Sequence, residues 1–255
     1  MRRRTTITLA ALLVAVVFAP GAAAEGTYFP LPPLPKPAIY GNHLLNRVSE
    51  KNGVKPVIFS HWLHRAKYTC RVCHVELGFN MELGTTEITE VRNQHGEYCG
   101  ACHNGKEAFG HTKENCDRCH TGDITAGAEK FAAFAATMPK AEYGNNIDWV
   151  RAVKLGKIHP KRTLHDTPYT PIPYDKNLRL DAGWTMIPPA FFSHADHNLW
   201  LDCSNCHPDI FNVKKKTTAH FSMRYNLQGK FCGLCHLRVS FPLNDCDRCH
   251  PAMRP

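Results

Sequence analysis

The chain has 255 residues, with 31 lysines and arginines against 22 aspartates and glutamates, for a formal charge of +9 at pH 7. A hydrophobic share of 43% with 21% charged residues excludes a disordered polyelectrolyte and leaves material for a core. Twelve cysteines and sixteen histidines far exceed ordinary globular usage and point to covalent or metal chemistry.

In chain order, the first element is MRRRTTITLAALLVAVVFAPGAAAEG: three arginines, an apolar run from Ile7 to Ala19 and a small-residue end at Ala22–Ala24. This is the pattern of a secretory signal peptide over residues 1–24, so the expected location is the periplasm, or outside the cell. Residues 25–58 form a Pro-rich extension in which YFPLPPLPKP reads as polyproline II.

From residue 59 the chain reads FSHWLH, followed by CRVCH at 70, CGACH at 99 and CDRCH at 116. A connecting segment, 124–190, carries no such unit. GAEKFAAFAATM reads as a short helix, GNNIDWVRAVKLGKIHP as a second with Trp149 and Val153 on one face, and Thr167–Pro189 as extended or turn-rich. FSHADH then opens at 192, followed by CSNCH at 203, CGLCH at 232 and CDRCH at 246.

All twelve cysteines thus fall in Cys-x-x-Cys-His units, the pattern of covalent haem c attachment. The thiols of Cys70 and Cys73, Cys99 and Cys102, Cys116 and Cys119, Cys203 and Cys206, Cys232 and Cys235, and Cys246 and Cys249 would add to haem vinyl groups. His74, His103, His120, His207, His236 and His250 would be the proximal iron ligands of six covalently bound haems c. Zinc also uses paired cysteines with histidine, but it does not explain why histidine always stands in the next position.

The second half repeats the first. At an offset of 133 residues, Phe59, Ser60, His61, His64, Cys70, Cys73 and His74 match Phe192, Ser193, His194, His197, Cys203, Cys206 and His207. Gly96, Cys99, Gly100, Cys102 and His103 likewise match Gly229, Cys232, Gly233, Cys235 and His236. One three-haem module, at 59–123, is therefore written again at 191–255. A six-coordinate iron needs a second axial donor, and positions i and i+3 of a helical turn diverge enough for His61 and His64 to serve two irons.

The order FxHxxH, CxxCH, CGxCHxGxxxF, CxxCH resembles the triheme cytochrome c-seven branch of the cytochrome c-three superfamily, closely so in YCGACHNGKEAF at 98–109. The resemblance implies a mainly irregular fold with short α-helices built around haem, as two tandem c-seven-like modules. It implies His61 as distal ligand of the haem at Cys70 and Cys73, and His64 of that at Cys99 and Cys102. It implies His194 and His197 for the haems at Cys203 and Cys232 in the second module. His95, four residues before Cys99, matches the family's distal ligand of the third haem. Its counterpart is Gln228, so for the haem at Cys246 and Cys249 the candidates are Met223 and, as an alternative, His220. His43, His111, His159 and His165 have no place in the pattern.

Loss of the three leader arginines leaves about +6, and each ferric haem with two propionates brings about −1, so the basic balance does not argue for nucleic-acid binding. The expected function is electron transfer along closely spaced, mostly bis-histidine haems, in anaerobic respiration or exchange with extracellular or metal acceptors. Redox proteins, other cytochromes or a membrane complex are the expected partners. No acid–base set accompanies the motifs, so catalysis is not expected. The alternatives are a multihaem reductase with one open haem, or a haem subunit of a membrane complex or filament.

Overall fold

The structure, a computed structural model, describes residues 31–165, 167–182, 186–212 and 222–253. The leader, His220 and the run Lys214–Lys216 lie outside the described residues.

Two antiparallel hairpins organise the chain. Strand β1 (Asn42–Leu45) pairs with β2 (Val57–Ser60), with Asn42 opposite Ser60. Strand β3 (Asn177–Leu180) pairs with β4 (Ala190–Ser193), with Asn177 opposite Ser193. Each hairpin's second strand runs directly into a one-turn helix, α1 (His61–Arg65) after β2 and α6 (His194–Asn198) after β4. The repeat therefore reaches back into stretches read from sequence as extension and connector, where alternation over four residues gives little signal.

The remaining helices are short. In module 1 they are α2 (Glu90–Gln94), capped by Thr89, and α3 (Cys116–Cys119). The connector contributes α4 (Ala128–Ala136) and α5 (Trp149–Lys154), the latter capped by Asp148, which accepts from the Arg151 amide at 3.0 Å. Module 2 adds α7 (Met223–Leu227), α8 (Gly233–His236) and α9 (Cys246–Cys249). The fold is thus mainly irregular with short helices. Among the described residues no helix is long and apolar enough to cross a membrane.

The apolar core lies where the connector meets both modules. Trp62 of α1, Phe131 of α4, Met138, Ile147, Trp149 and Ala152 of α5, Ile158 and Trp200 form one buried cluster. Val153, expected on the buried face, packs only partly against it, and Ala152 takes the fully buried place. The connector is therefore a core element, because haem-attachment units supply few aliphatic side chains and the apolar surface must come from elsewhere.

The modules are also tied directly. The Arg71 amide donates to the Trp200 carbonyl at 3.2 Å, and its side chain donates to Asp202 at 3.0 Å and pairs with Glu76. Tyr169 donates to the same Asp202 oxygen at 2.7 Å while lying under the Arg71 guanidinium. Tyr40 donates to the Ser240 carbonyl at 2.7 Å.

Candidate haem sites

Ten of the described histidines share one arrangement: Nδ1 donates to a backbone carbonyl, so that in the neutral ring the lone pair is on Nε2. They are the six histidines of the Cys-x-x-Cys-His units and the four of the two FSHxxH turns. His61 donates to Gly41 and His194 to Lys176, the residues just before β1 and β3, at 2.9 and 2.7 Å. His64 and His197 donate one turn back to Ser60 and Ser193, at 2.9 and 2.7 Å. His74, His103, His207 and His236 donate to the carbonyls of Phe79, Phe109, Phe211 and Phe241. His120 and His250, themselves 130 residues apart, donate to Lys55 and Pro188, which stand 133 apart like the two FSHxxH turns. A ring fixed this way presents Nε2 for metal ligation in one tautomer and one orientation.

The FSHxxH motif now has a role for every invariant position. Phe59 stacks on His64 at 4.4 Å and meets the edge of His61 at 4.8 Å; Phe192 does the same to His197 and His194 at 4.2 and 4.8 Å. Ser60 holds His64 by its carbonyl, and a hydroxyl cap is made only in module 2, where Ser193 accepts from the Asp196 amide.

Ring positions separate the histidines further. His64 faces His103 at 6.4 Å between centroids, and His197 faces His236 at 6.1 Å. Two imidazoles bound through Nε2 at about 2 Å on opposite sides of one metal have centroids roughly 6 to 6.5 Å apart. His61 lies within electrostatic reach of His74, and burial holds it well below the ordinary histidine range. Burial likewise lowers His64, His74, His103 and His197 and brings His236 down to about 4, so these rings are neutral near pH 7, as an iron ligand must be.

His95 stands apart. It is exposed at the end of α2, and among the described residues its ring has no hydrogen bond and no contact with His120. His111 is exposed and lies 6.3 Å from His103. His159 and His165 are exposed, and half-buried His43 sets its ring at right angles to His61 at 5.1 Å. Met223 opens α7 half-buried, and its sulfur accepts from Asn226 at 3.7 Å.

None of the twelve cysteines is paired in a disulfide. Burial pushes Cys73, Cys232 and Cys235 up to about 12 and Cys99, Cys206 and Cys249 up to about 11. Thiols so raised are poor thiolate donors, and among the described residues no three His, Cys, Asp or Glu side chains converge to hold a metal ion. These residues fit a planar macrocycle attached through sulfur and gripped from two faces better than a small chelated cation.

The middle unit of each module depends on glycine. A Cβ at Gly100 would coincide with the Asn93 carbonyl of α2, and one at Gly233 with the Asn226 carbonyl of α7. Just before these units Tyr98 and Phe231 take positive φ, 45° and 50°, a costly conformation for aromatic residues and the same in both copies. The phenylalanine carbonyls, Lys55 and Pro188, and the glycine docking had escaped sequence reasoning. The recurrence of Phe four to six residues after each of four histidines was the available signal.

A family model described as cytochrome c7 and related cytochrome c matches residues 57–121 and 190–251. Among solved structures, the C-terminal hexaheme fragment of GSU1996 is 24% identical with a TM-score of 0.28, covering 82% of this chain and 96% of that one. Its N-terminal hexaheme fragment is 24% identical with a TM-score of 0.27, covering 84% and 99%. The dodecaheme cytochrome c GSU1996 is 23% identical with a TM-score of 0.28, covering 79% and 73%. No curated protein matches the chain.

Proposed function

From a chain that is a multihaem cytochrome c with two tandem cytochrome c7-like modules, and so an electron-transfer protein, we propose a carrier of six covalent haems c, exported to the periplasm. The observation that carries this reading is the shared Nδ1-to-carbonyl bond of the ten histidines, which frees Nε2 for ligation, together with the facing rings of His64 with His103 and His197 with His236. Haem, when bound, supplies the one-electron iron couple and a net negative charge.

The chain's own residues attach, orient and exclude water. His61 and His64 hold the distal faces at the Cys70–Cys73 and Cys99–Cys102 sites, as His194 and His197 do at the Cys203–Cys206 and Cys232–Cys235 sites. His95 serves the Cys116–Cys119 site and Met223 the Cys246–Cys249 site, because Gln228 at the end of α7 replaces the histidine that ends α2. Thioether sulfur in place of imidazole raises a haem's potential, so Met223 marks the high-potential end. Anaerobic respiration or exchange with external acceptors suits such a set, with other redox proteins as partners. Intact mass with haem quantification tests the reading: six covalent haems are expected per chain, and fewer, or rapid carbon monoxide binding by several reduced haems, would contradict it.

A further inference from the structure

Arg65 and Arg71 both sit at the junction of the modules, and of these two only Arg71 has a counter-charge. Arg71 is paired with Glu76 and Asp202. Arg65, at the end of α1, lies between the Trp149 and Trp200 rings, 4.4 and 4.8 Å from their centroids. Its Nη1 donates to the Val239 carbonyl at 3.1 Å, while its Nε is sealed from solvent with no partner. Among the described residues no carboxylate lies within ion-pair distance of it.

The surroundings of Arg65 belong to two haem units in different modules. Val239, which it grips, donates its own amide to the Cys235 carbonyl at 2.9 Å. Cys70 packs against the same tryptophan cluster that holds Arg65. Its field also reaches the thiols of Cys70 and Cys235. Arg65 has no repeat counterpart, since Asn198 stands 133 positions later. Aromatic faces and one carbonyl offset only part of the cost of a buried cation, so any gain of negative charge beside it is favoured. When haem is bound at these cysteines, its ring and iron would carry a net charge of about +1 oxidised and about 0 reduced, so the oxidised form is the one Arg65 would disfavour.

We propose, resting on the haem-carrier reading above, that Arg65 is a positioning residue whose uncompensated charge raises the reduction potentials of the haems carried by Cys70–Cys73 and Cys232–Cys235, joining the two modules electrically. Adding one electron to either site adds one negative charge beside this cation, which favours the reduced form.

Potentiometric titration of the six-haem protein, with dithionite as electron donor and haem signals resolved by NMR, tests this. In Arg65→Gln two midpoints should fall and the other four stay, and Arg65→Lys should restore them. Unmoved midpoints in Arg65→Gln with six haems attached would overturn the proposal while leaving the carrier reading intact; intact mass without covalent haem would instead defeat that reading. If Arg65→Gln fails to load, a holo crystal structure of the wild type decides. Arg65 free of carboxylates and beside both units supports the proposal, and a carboxylate or propionate paired with it overturns it.

Discussion

Modules 1 and 2 carry the same scaffold under different surfaces. Both use a hairpin leading into a histidine turn, a phenylalanine wedged against the two rings, and a glycine that admits an asparagine carbonyl. They part at the third unit. In module 1 Cys116 is exposed, whereas in module 2 the same unit is half-buried beside buried Pro242, Leu243 and Asp245. Backbone geometry is what repeats, because carbonyl acceptors and steric limits orient a ligand ring; axial donor and burial are free to diverge and set potential.

The largest expected effect would break the shared part. Gly100→Ala and Gly233→Ala should each destabilise the haem-loaded protein by about 3 kcal/mol or more, by overpacking against backbone. At this size that is roughly 6 to 12 °C in melting temperature. Gly96→Ala and Gly229→Ala have open space around the new carbon and only a positive φ to resist it, so about 1 to 2 kcal/mol is expected. Equal melting temperatures for Gly100→Ala and Gly96→Ala would remove the docking account.

Next comes the tie between the copies. Arg71→Ala deletes half-buried charge-assisted bonds to Asp202 and Glu76 and should cost about 1 to 3 kcal/mol. A double-mutant cycle with Asp202→Asn should show coupling of at least about 0.5 kcal/mol; strictly additive losses would mean that the modules are held elsewhere.

Acid should act on module 1 through His43, which is outside the proposed ligand set. Burial, assisted by Arg238, lowers it to about 4, against an ordinary value of 6.5. Within that window the unfolded chain binds a proton that the folded chain refuses, so stability falls as pH drops from about 6.5 and levels off below about 4. Denaturant midpoints across pH 4 to 7 should show this slope, flattened in His43→Gln; an unchanged slope would assign it to other groups. The smallest effect belongs to the exposed pair of Lys154 with Asp196, 2.7 Å apart, where Lys154→Ala should change stability by no more than about 0.5 kcal/mol.

The attachment units, the histidine turns and the duplication were legible in the sequence because thioether chemistry demands fixed residue types at fixed spacing. The acceptors that orient the rings were not, since a carbonyl at Lys55 or Pro188 leaves no mark on residue identity. Trp62, Arg65 and Trp200 were also silent: their repeat counterparts are Ala195, Asn198 and Lys67, so they act once, at a junction that periodicity cannot reveal. β1 and β3 were hidden by their length, four residues each. His95 and Gln228 were readable as a difference, yet both are exposed helix ends, and a ligand role there depends on the cofactor rather than on protein packing.

The claim that two like scaffolds carry unlike terminal ligands is most directly tested by near-infrared magnetic circular dichroism of the oxidised, fully loaded protein beside Met223→Ala. One iron–methionine charge-transfer band is expected among bis-histidine signals, and it should be lost in the variant. Bis-histidine signals alone in the wild type, or a methionine band that survives in Met223→Ala, would contradict that claim.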